Sequence, residues 1–225
     1  MSRERVTVVI PTRHEEKSIA EVINNSKKYC DDILIVIAKN SKDKTYDIVN
    51  NLGIKIIRDN GRGKGDGMRC AINSISSGII VFIDADGSHI TKDMPYLIEP
   101  LQNNEADMVI ASRFLGGSEE LHGTFGKFLR MFLSMSIAQI INWRFKTAIG
   151  DTQNGYRAIK ASVAKDLKLE SDIFDIETEM VMKCYKKGYR ILEVPSRELK
   201  RCHGESGINI TKMGWRYLAT VLKNL

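Results

Sequence analysis

The stretch VFIDADGSH, residues 81–89, runs an apolar strand straight into two aspartates, Asp84 and Asp86, one residue apart. Two carboxylates that close repel each other, so the arrangement needs a compensating positive charge or full access to water. In extended backbone, residues i and i+2 point the same way, and both acids are expected to converge on one spot. In an open α/β sheet, the crevice beyond the carboxyl ends of the strands is where ligands bind. A hard divalent cation with oxygen ligands, Mg2+ or Mn2+, would relieve the repulsion and bridge to diphosphate oxygens. Ser88, two residues further on, offers a hydroxyl to the same ion or to a water on it. The competing reading is a solvated acidic turn capping a helix that begins near Asp93.

The chain on either side supports a sheet of this kind. Apolar runs at 5–11, 32–38, 54–58, 79–84 and 107–111 read as short buried strands, with helices at 16–28, 42–52, 66–77 and 93–103 between them. Short strands separated by helices of about 10 to 15 residues point to βαβ units, an α/β class and a mostly parallel sheet. Right-handed crossovers would lay helices on both faces. The pattern loosens after about residue 112 and returns as a strand-like YRILEVP (189–195) and a helix from Thr211. No repeat or low-complexity linker divides the 225 residues, which are read as one domain.

With 43% hydrophobic and 28% charged residues, the chain has the makings of a sizeable core. A net charge of +6 suits anionic partners such as phosphate groups or a membrane surface, or is a well-solvated basic surface. No nucleic-acid partner is expected. Cys30, Cys70, Cys184 and Cys202 are scattered with no C-x-x-C pair, so neither a zinc site nor a disulfide framework is indicated, and a reducing compartment fits. The opening MSRERVTVVIP has too short an apolar run for a signal peptide. No apolar stretch reaches the roughly 20 residues that a membrane span requires.

GRGKGDG (61–67) is the second motif. Its glycines would let backbone N–H groups approach a ligand, and Lys64 adds charge. It matches neither the P-loop nor the dinucleotide fingerprint. Its place before a helix favours a phosphate-facing role over a plain flexible loop. His14, His89, His122 and His203 make no ligand spacing, and His89 is expected to hydrogen-bond within its own loop. The segment FGKFLRMFLSMSIAQIINWRF (125–145) is apolar on most sides, with Arg130, Gln139, Asn142 and Trp143 interspersed. That composition suits a helix lying in a membrane interface; the alternative is a core or dimer-interface helix. Trp215 is expected to pack or to sit at an interface.

VVIPTRHEE, NSKDKT, GKG, FIDADGSH, ASRF, GDTQNGYRAI and RCHGES occur in that order and span Val6 to about Ser206. Together they resemble the family 2 glycosyltransferases, most closely those that make dolichyl- or polyprenyl-phosphate hexoses. The resemblance implies the glycosyltransferase A-type fold. A nucleotide-sugar-binding half (about 1–115) would precede an acceptor-binding half (about 116–225) that holds the apolar helix 125–145. It implies metal-dependent, inverting transfer of a hexose from a nucleotide diphosphate sugar, of the GDP-mannose or UDP-glucose type, to dolichyl or polyprenyl phosphate. The protein would sit peripherally at the cytosolic membrane face, with a membrane-anchoring subunit or a second copy as a further partner.

Carried over residue by residue, Pro11, Thr12 and Glu15 fall where the first loop meets the nucleotide, with Lys39 and Lys64 beside it. Asp84, Ala85 and Asp86 match the D-x-D that holds metal and diphosphate, and Ser88 falls on a further metal-ligand position. Arg113 and Arg157 fall on arginines that face phosphate groups. Arg201 and Ser206 match an R-x-x-G-x-S near the donor diphosphate. Asp86, Arg113, Arg157 and Arg201 make the expected catalytic set.

Two departures stand out. The family's second strand usually ends in an acidic pair followed by Gly-Ser, whereas this chain has Ala38, Lys39, Asn40 and Ser41. A neutral and a cationic residue do not accept the same hydrogen bonds, so nucleoside recognition is expected to differ. Gly207 stands where a lysine often follows R-x-x-G-x-S.

A lipid phosphate is already ionised at neutral pH and needs arginines to position it rather than a base. A hydroxyl acceptor needs a general base. Asp175 and Glu177 of FDIETEM (174–180) are the candidates, unless they are simply acids at a helix N-terminus. Asp151 is expected to organise the acceptor loop. The competing functions are a soluble transferase with a hydroxyl acceptor and a non-catalytic nucleotide-sugar-binding relative. A nucleotidyltransferase would carry a glycine-rich loop where this chain has PTRHEE.

Overall fold

The computed structural model describes residues 3–119, 125–201 and 210–225, with only the backbone described at Phe125, Arg130 and 210–213. The expectations for His122, Cys202, His203, Ser206 and Gly207, and for the Arg130 side chain, fall outside the described residues.

The apolar runs form the strands β1 (Val6–Thr12), β2 (Asp32–Ile37), β3 (Lys55–Arg58), β4 (Ile79–Phe82) and β5 (Met108–Ser112). Two later strands, β6 (Arg157–Lys160) and β7 (Ile191–Pro195), join them in one sheet of order β3-β2-β1-β4-β6-β5-β7. Every pairing is parallel except those of β6, which runs antiparallel to both β4 and β5. The expected mostly parallel sheet is therefore present, with one reversed strand inserted from the second half of the chain.

The strands are apolar almost throughout because both faces are covered. Alternate residues feed two separate cores: Val9, Leu34, Val36, Ile80 and Phe82 on one face, and Val8, Ile10, Ile35, Ile37 and Val81 on the other. Each such side chain contributes roughly 1.5–3 kcal/mol by leaving water. The helices are α1 (Ile19–Ser26), α2 (Thr45–Asn51), α3 (Lys64–Ser74), α4 (Met94–Gln102), the single turn α5 (Arg113–Gly116), α6 (Phe125–Phe145), α7 (Ala161–Asp166), α8 (Ile176–Lys186) and α9 (Ile210–Asn224). The last two pack on each other and on α6.

This topology fixes the position of the site. The parallel strands β3, β2, β1 and β4 lie side by side and end at the same edge. The loops after them carry GRGKGDG, PTRHEE and DADGSH to one place.

Candidate active site

A cavity of about 500 Å³ opens along that edge. Pro11, Thr12 and Glu15 line it from the exit of β1, Val36 and Ala38 from β2, and Asp59 and Gly61 from β3. Lys64 of α3, the Asp84-Ala85-Asp86 turn, Phe174 and Arg201 also line it, with polar Arg13, His14, Asn40 and Arg62 among the remaining wall residues. Eight of the expected site residues thus meet in one cavity: Pro11, Thr12, Glu15, Lys64, Asp84, Ala85, Asp86 and Arg201.

Each acid of the pair has its own cation. Lys64 Nζ lies 2.6 Å from Asp84 Oδ1 and 2.9 Å from Glu177 Oε1, and Arg201 Nη1 lies 3.2 Å from Asp86 Oδ2. Burial alone would raise the Asp84 carboxyl's pKa, but Lys64 and His89 outweigh it and hold the group well below the usual carboxylate range. Burial likewise works against the Lys64 ammonium, and the charges of Asp84 and Glu177 more than offset it, so its pKa is raised. His89 Nε2 stands 3.4 Å from Asp84 Oδ2, with its ring beside Tyr156, in keeping with the expected loop hydrogen bond. Ser88 is turned toward the pair: its N–H and hydroxyl donate to Asp86 Oδ1 at 3.0 and 2.7 Å. In this arrangement the hydroxyl fixes the Asp86 rotamer.

The glycine-rich loop owes its composition to packing. A Cβ at Gly63, where φ is +134°, would come within 2.6 Å of the Ile173 side chain, and one at Gly65 would run into the backbone of Ser171. Asp66, buried at the start of α3, accepts from the Asn60 N–H at 2.8 Å and the Asn60 side-chain amide at 3.0 Å. The loop is thereby clamped onto the 171–173 segment, and the clamp aims Lys64 inward. Gly63 and Gly65 admit the close approach of the 171–173 segment, while Gly61, Gly63 and Gly67 also line the cavity. Gly155 has a comparable function, since a Cβ there would sit 2.6 Å from Lys64 Nζ and 2.9 Å from Asp84 Oδ2.

Three expected residues stand elsewhere. Arg113 does not line the cavity; it is buried in a bidentate pair with Asp151, Nε to Oδ2 at 2.7 Å and Nη2 to Oδ1 at 2.9 Å, with Glu198 at 3.7 Å. Asp151 also accepts the N–H groups of Arg113, Gln153 and Asn154, so it orders the 151–154 loop as expected. Arg157 is fully buried on β6, and its guanidinium donates to the carbonyls of Asn154, Glu177 and Thr152. Both arginines hold the loops around the site with donors that a phosphate would otherwise take. Lys39 is exposed; its N–H donates to Asp59 Oδ1 at 2.7 Å, and its stem packs against Gly61.

Sequence reasoning missed Asp59 as a cavity residue and the seating of Glu177 on Lys64. Glu177 stands 113 positions after Lys64, a separation that hides the pairing from any local pattern. Glu177 Oε2 and Asp175 Oδ1 are both buried with no hydrogen-bond partner among the described residues, and Asp175 Oδ2 accepts from Thr220 Oγ1 at 2.8 Å. Asp175 faces a separate groove beside α9.

The donor set fits a hard divalent ion and an oxygen-rich ligand. Asp84 and Asp86 present carboxylate oxygens to the cavity, and Thr12 Oγ1 beside them is buried without a hydrogen-bond partner among the described residues. Burial raises the pKa of the Glu15 carboxyl, with the charges of Asp86 and Asp84 adding to it. Among the described residues no three His, Cys, Asp or Glu side chains converge to enclose a metal. An ion here would take its remaining ligands from phosphate oxygens and water, as Mg2+ commonly does.

Residues 7–168 match the family model described as glycosyl transferase family 2. The chain is 30% identical over 206 residues to an uncharacterised protein of Methanocaldococcus jannaschii, covering 88% of this chain and 83% of that one. It is 26% identical to the UDP-N-acetylglucosamine–dolichyl-phosphate N-acetylglucosaminyltransferase of Methanococcus voltae, over 88% of this chain and 87% of that enzyme. Among solved structures it resembles glucosyl-3-phosphoglycerate synthase of Mycobacterium tuberculosis, crystallised with Mn2+, UDP and phosphoglyceric acid. That match has a TM-score of 0.77 at 18% identity and covers 98% of this chain and 78% of the synthase. The architecture is thus the glycosyltransferase A-type fold.

Proposed function

Since the chain belongs to glycosyl transferase family 2 and is a glycosyltransferase, we propose that it moves a hexose from a nucleotide diphosphate sugar to dolichyl or another polyprenyl phosphate. The reaction proceeds with inversion, with Mg2+ or Mn2+ held by Asp84 and Asp86. The observation that carries this reading is the acid pair at the cavity's edge, with Lys64 and Arg201 already matched to it. Those four side chains supply what a metal-bound diphosphate needs.

In such a transfer an acceptor oxygen attacks the anomeric carbon from the face opposite the diphosphate. The bond to the diphosphate breaks and negative charge leaves with it. Lys64 and Arg201 stand where that charge accumulates, and preorganised cations in a water-poor cleft stabilise it. A divalent ion, when bound, supplies Lewis-acid stabilisation of the same group. Arg113 and Arg157 act one layer out by fixing the loops at 151–154 and 177.

A phosphate acceptor brings no proton to be removed. The ties of Glu177 to Lys64 and of Asp175 to Thr220 are compatible with that. A hydroxyl acceptor is the second reading, favoured by the unpartnered Oε2 of Glu177, although Glu177 lies behind Lys64 and outside the cavity lining.

The lipid half of the proposal rests on α6 and α9. Phe128, Phe132, Met135 and Trp143 are exposed along one face of α6, Trp143 to 82%, and Trp215, Leu218 and Leu222 along one face of α9. Basic Arg144, Arg216 and Lys223 lie beside them. An apolar surface of this extent calls for a partner. Aromatic and basic residues around it suit docking in a headgroup layer. No helix of the described residues is long and apolar enough to cross a membrane.

The test is transfer of radiolabelled sugar from UDP- and GDP-sugars to polyprenyl phosphate, with Mn2+ or with EDTA. Metal-dependent label in the organic phase is expected. Label confined to water-soluble products would overturn the lipid acceptor, and no transfer from any donor would overturn the activity.

A further inference from the structure

The end of the cavity remote from the acid pair has a chemistry of its own. Strand β3 lies three strands from β4 in the sheet, so at a spacing of about 4.8 Å its exit is roughly 14 Å away. That is beyond contact with a metal or diphosphate at Asp84 and Asp86. Four acids line the cavity: Glu15, Asp59, Asp84 and Asp86. Glu15 feels the charges of Asp86, Arg201 and Asp84 and belongs to their end. Strand β2 delivers Ala38, Lys39 and Asn40 to the far end, none of them an acid. Among the described residues, Asp59 is the one carboxylate lining it.

Asp59 is 8% exposed and held rigidly. Its Oδ1 accepts the N–H groups of Lys39 at 2.7 Å and Gly61 at 2.9 Å. No described residue donates to Oδ2, which lies beside the bare backbone of Gly67, 3.9 Å from where a Cβ would stand. Pro11, Val36 and Ala38 give this end small apolar walls. One fixed acceptor beside these apolar side chains, with Asn40 and Arg62 also lining the cavity, suits a flat heterocycle with a donor on its edge.

We propose that Asp59 reads the nucleobase of the donor. This rests on the nucleotide-sugar reading above. Oδ2 accepts the ring N–H on the hydrogen-bonding edge of uracil or guanine. Cytosine and adenine carry a ring acceptor at the matching place, and a carboxylate has no proton to offer it. Two buried acceptors facing each other leave both unpaired, the situation from which sites built on hydrogen bonds draw their strongest discrimination.

The experiment is calorimetric binding of UDP, GDP, CDP and ADP to the full chain with Mn2+, together with the N3-methyl analogue of UDP and the N1-methyl analogue of GDP. The wild type is expected to bind UDP or GDP at least about 10-fold more tightly than CDP or ADP, and methylation of the preferred base is expected to remove the advantage. Asp59→Asn keeps the acceptor for Lys39 and Gly61 and places an amide N–H2 at the other position. It is expected to collapse the UDP-to-CDP ratio or the GDP-to-ADP ratio at an unchanged thermal midpoint. Equal weakening of every nucleotide in Asp59→Asn, or indifference of the wild type to base methylation, would overturn the proposal. If the wild type binds no nucleoside diphosphate at all, the donor reading fails first and this one with it. The methylated ligands discriminate on the wild type alone, even if the variant does not fold.

Discussion

Replacing Lys64 by methionine isolates the electrostatics of the site. The ammonium sits between Asp84 at 2.6 Å and Glu177 at 2.9 Å, and its side chain is 15% exposed. Methionine keeps the stem and removes the charge, leaving two carboxylates about one cation's width apart. Removing one partner of a buried ion pair costs about 3–5 kcal/mol. The Asp84 side chain is 27% exposed, which places the expected loss near the lower figure, about 3 kcal/mol. For a chain of this length that corresponds to a fall of roughly 6–12 °C in Tm.

The pH dependence carries a definite sign. In the wild type the Asp84 pKa is depressed below its ordinary 3.8. Its contribution is therefore complete above that value and is lost as pH falls through the lower, folded one. In Lys64→Met the burial of Asp84 is no longer offset by that cation, and its folded pKa rises above the unfolded one. That group then stabilises only at low pH and loses its contribution as pH climbs. The stability deficit should accordingly be larger at pH 7.5 than at pH 4.5. Urea unfolding at both values measures it. A deficit under about 1 kcal/mol, or one equal at the two pH values, would refute the reasoning.

Asp86→Ala should lower kcat for Mn2+-dependent transfer by about 10²–10³-fold, the scale of losing one preorganised electrostatic contact at a developing charge, as steady-state assays would show. Asp151→Asn should cost about 3–5 kcal/mol in urea unfolding, because it strands the Arg113 guanidinium in the interior. Gly155→Ala should weaken folding by about 1–3 kcal/mol and loosen donor binding, since its new methyl pushes on Lys64 and Asp84; calorimetry reads both. Phe132→Ser with Trp143→Ser should reduce co-sedimentation with anionic vesicles while leaving Tm within about 2 °C, because both side chains already face solvent.

The first half of the fold was legible because its strands are buried on both faces and read as unbroken apolar runs. The expected runs at 32–38 and 79–84 became β2 (Asp32–Ile37) and β4 (Ile79–Phe82), with ends shifted by a residue or two. Strand β6 was hidden. It is four residues long, opens with an arginine and continues directly into α7. Arg157 reads as a surface or ligand residue until its partners are known to be three backbone carbonyls. Helix α8 announced only its acidic start, for a related reason: Glu177, Thr178 and Glu179 are all buried, which erases the apolar periodicity on which a helix is read.

In the site, motifs close in sequence were readable and their partners were not. D-x-D announced itself, and Lys64 stood out beside its glycines. Nothing local couples Lys64 to Glu177, or Arg113 to Asp151. The fold's own acceptors decide which arginines have donors left over for a ligand: the Asp151 carboxylate takes those of Arg113, and the carbonyls of Thr152, Asn154 and Glu177 take those of Arg157.

The most direct test is diffraction from crystals soaked with Mn2+ and a nucleotide diphosphate sugar, read by manganese anomalous scattering. The expected result is one strong peak in the cavity, at bonding distance from Asp86 and from the diphosphate, with Lys64 and Arg201 turned toward phosphate oxygens. A cavity free of anomalous signal, with Asp84 still on Lys64 and Asp86 still on Arg201 while the nucleotide lies elsewhere, would contradict the reading at its root.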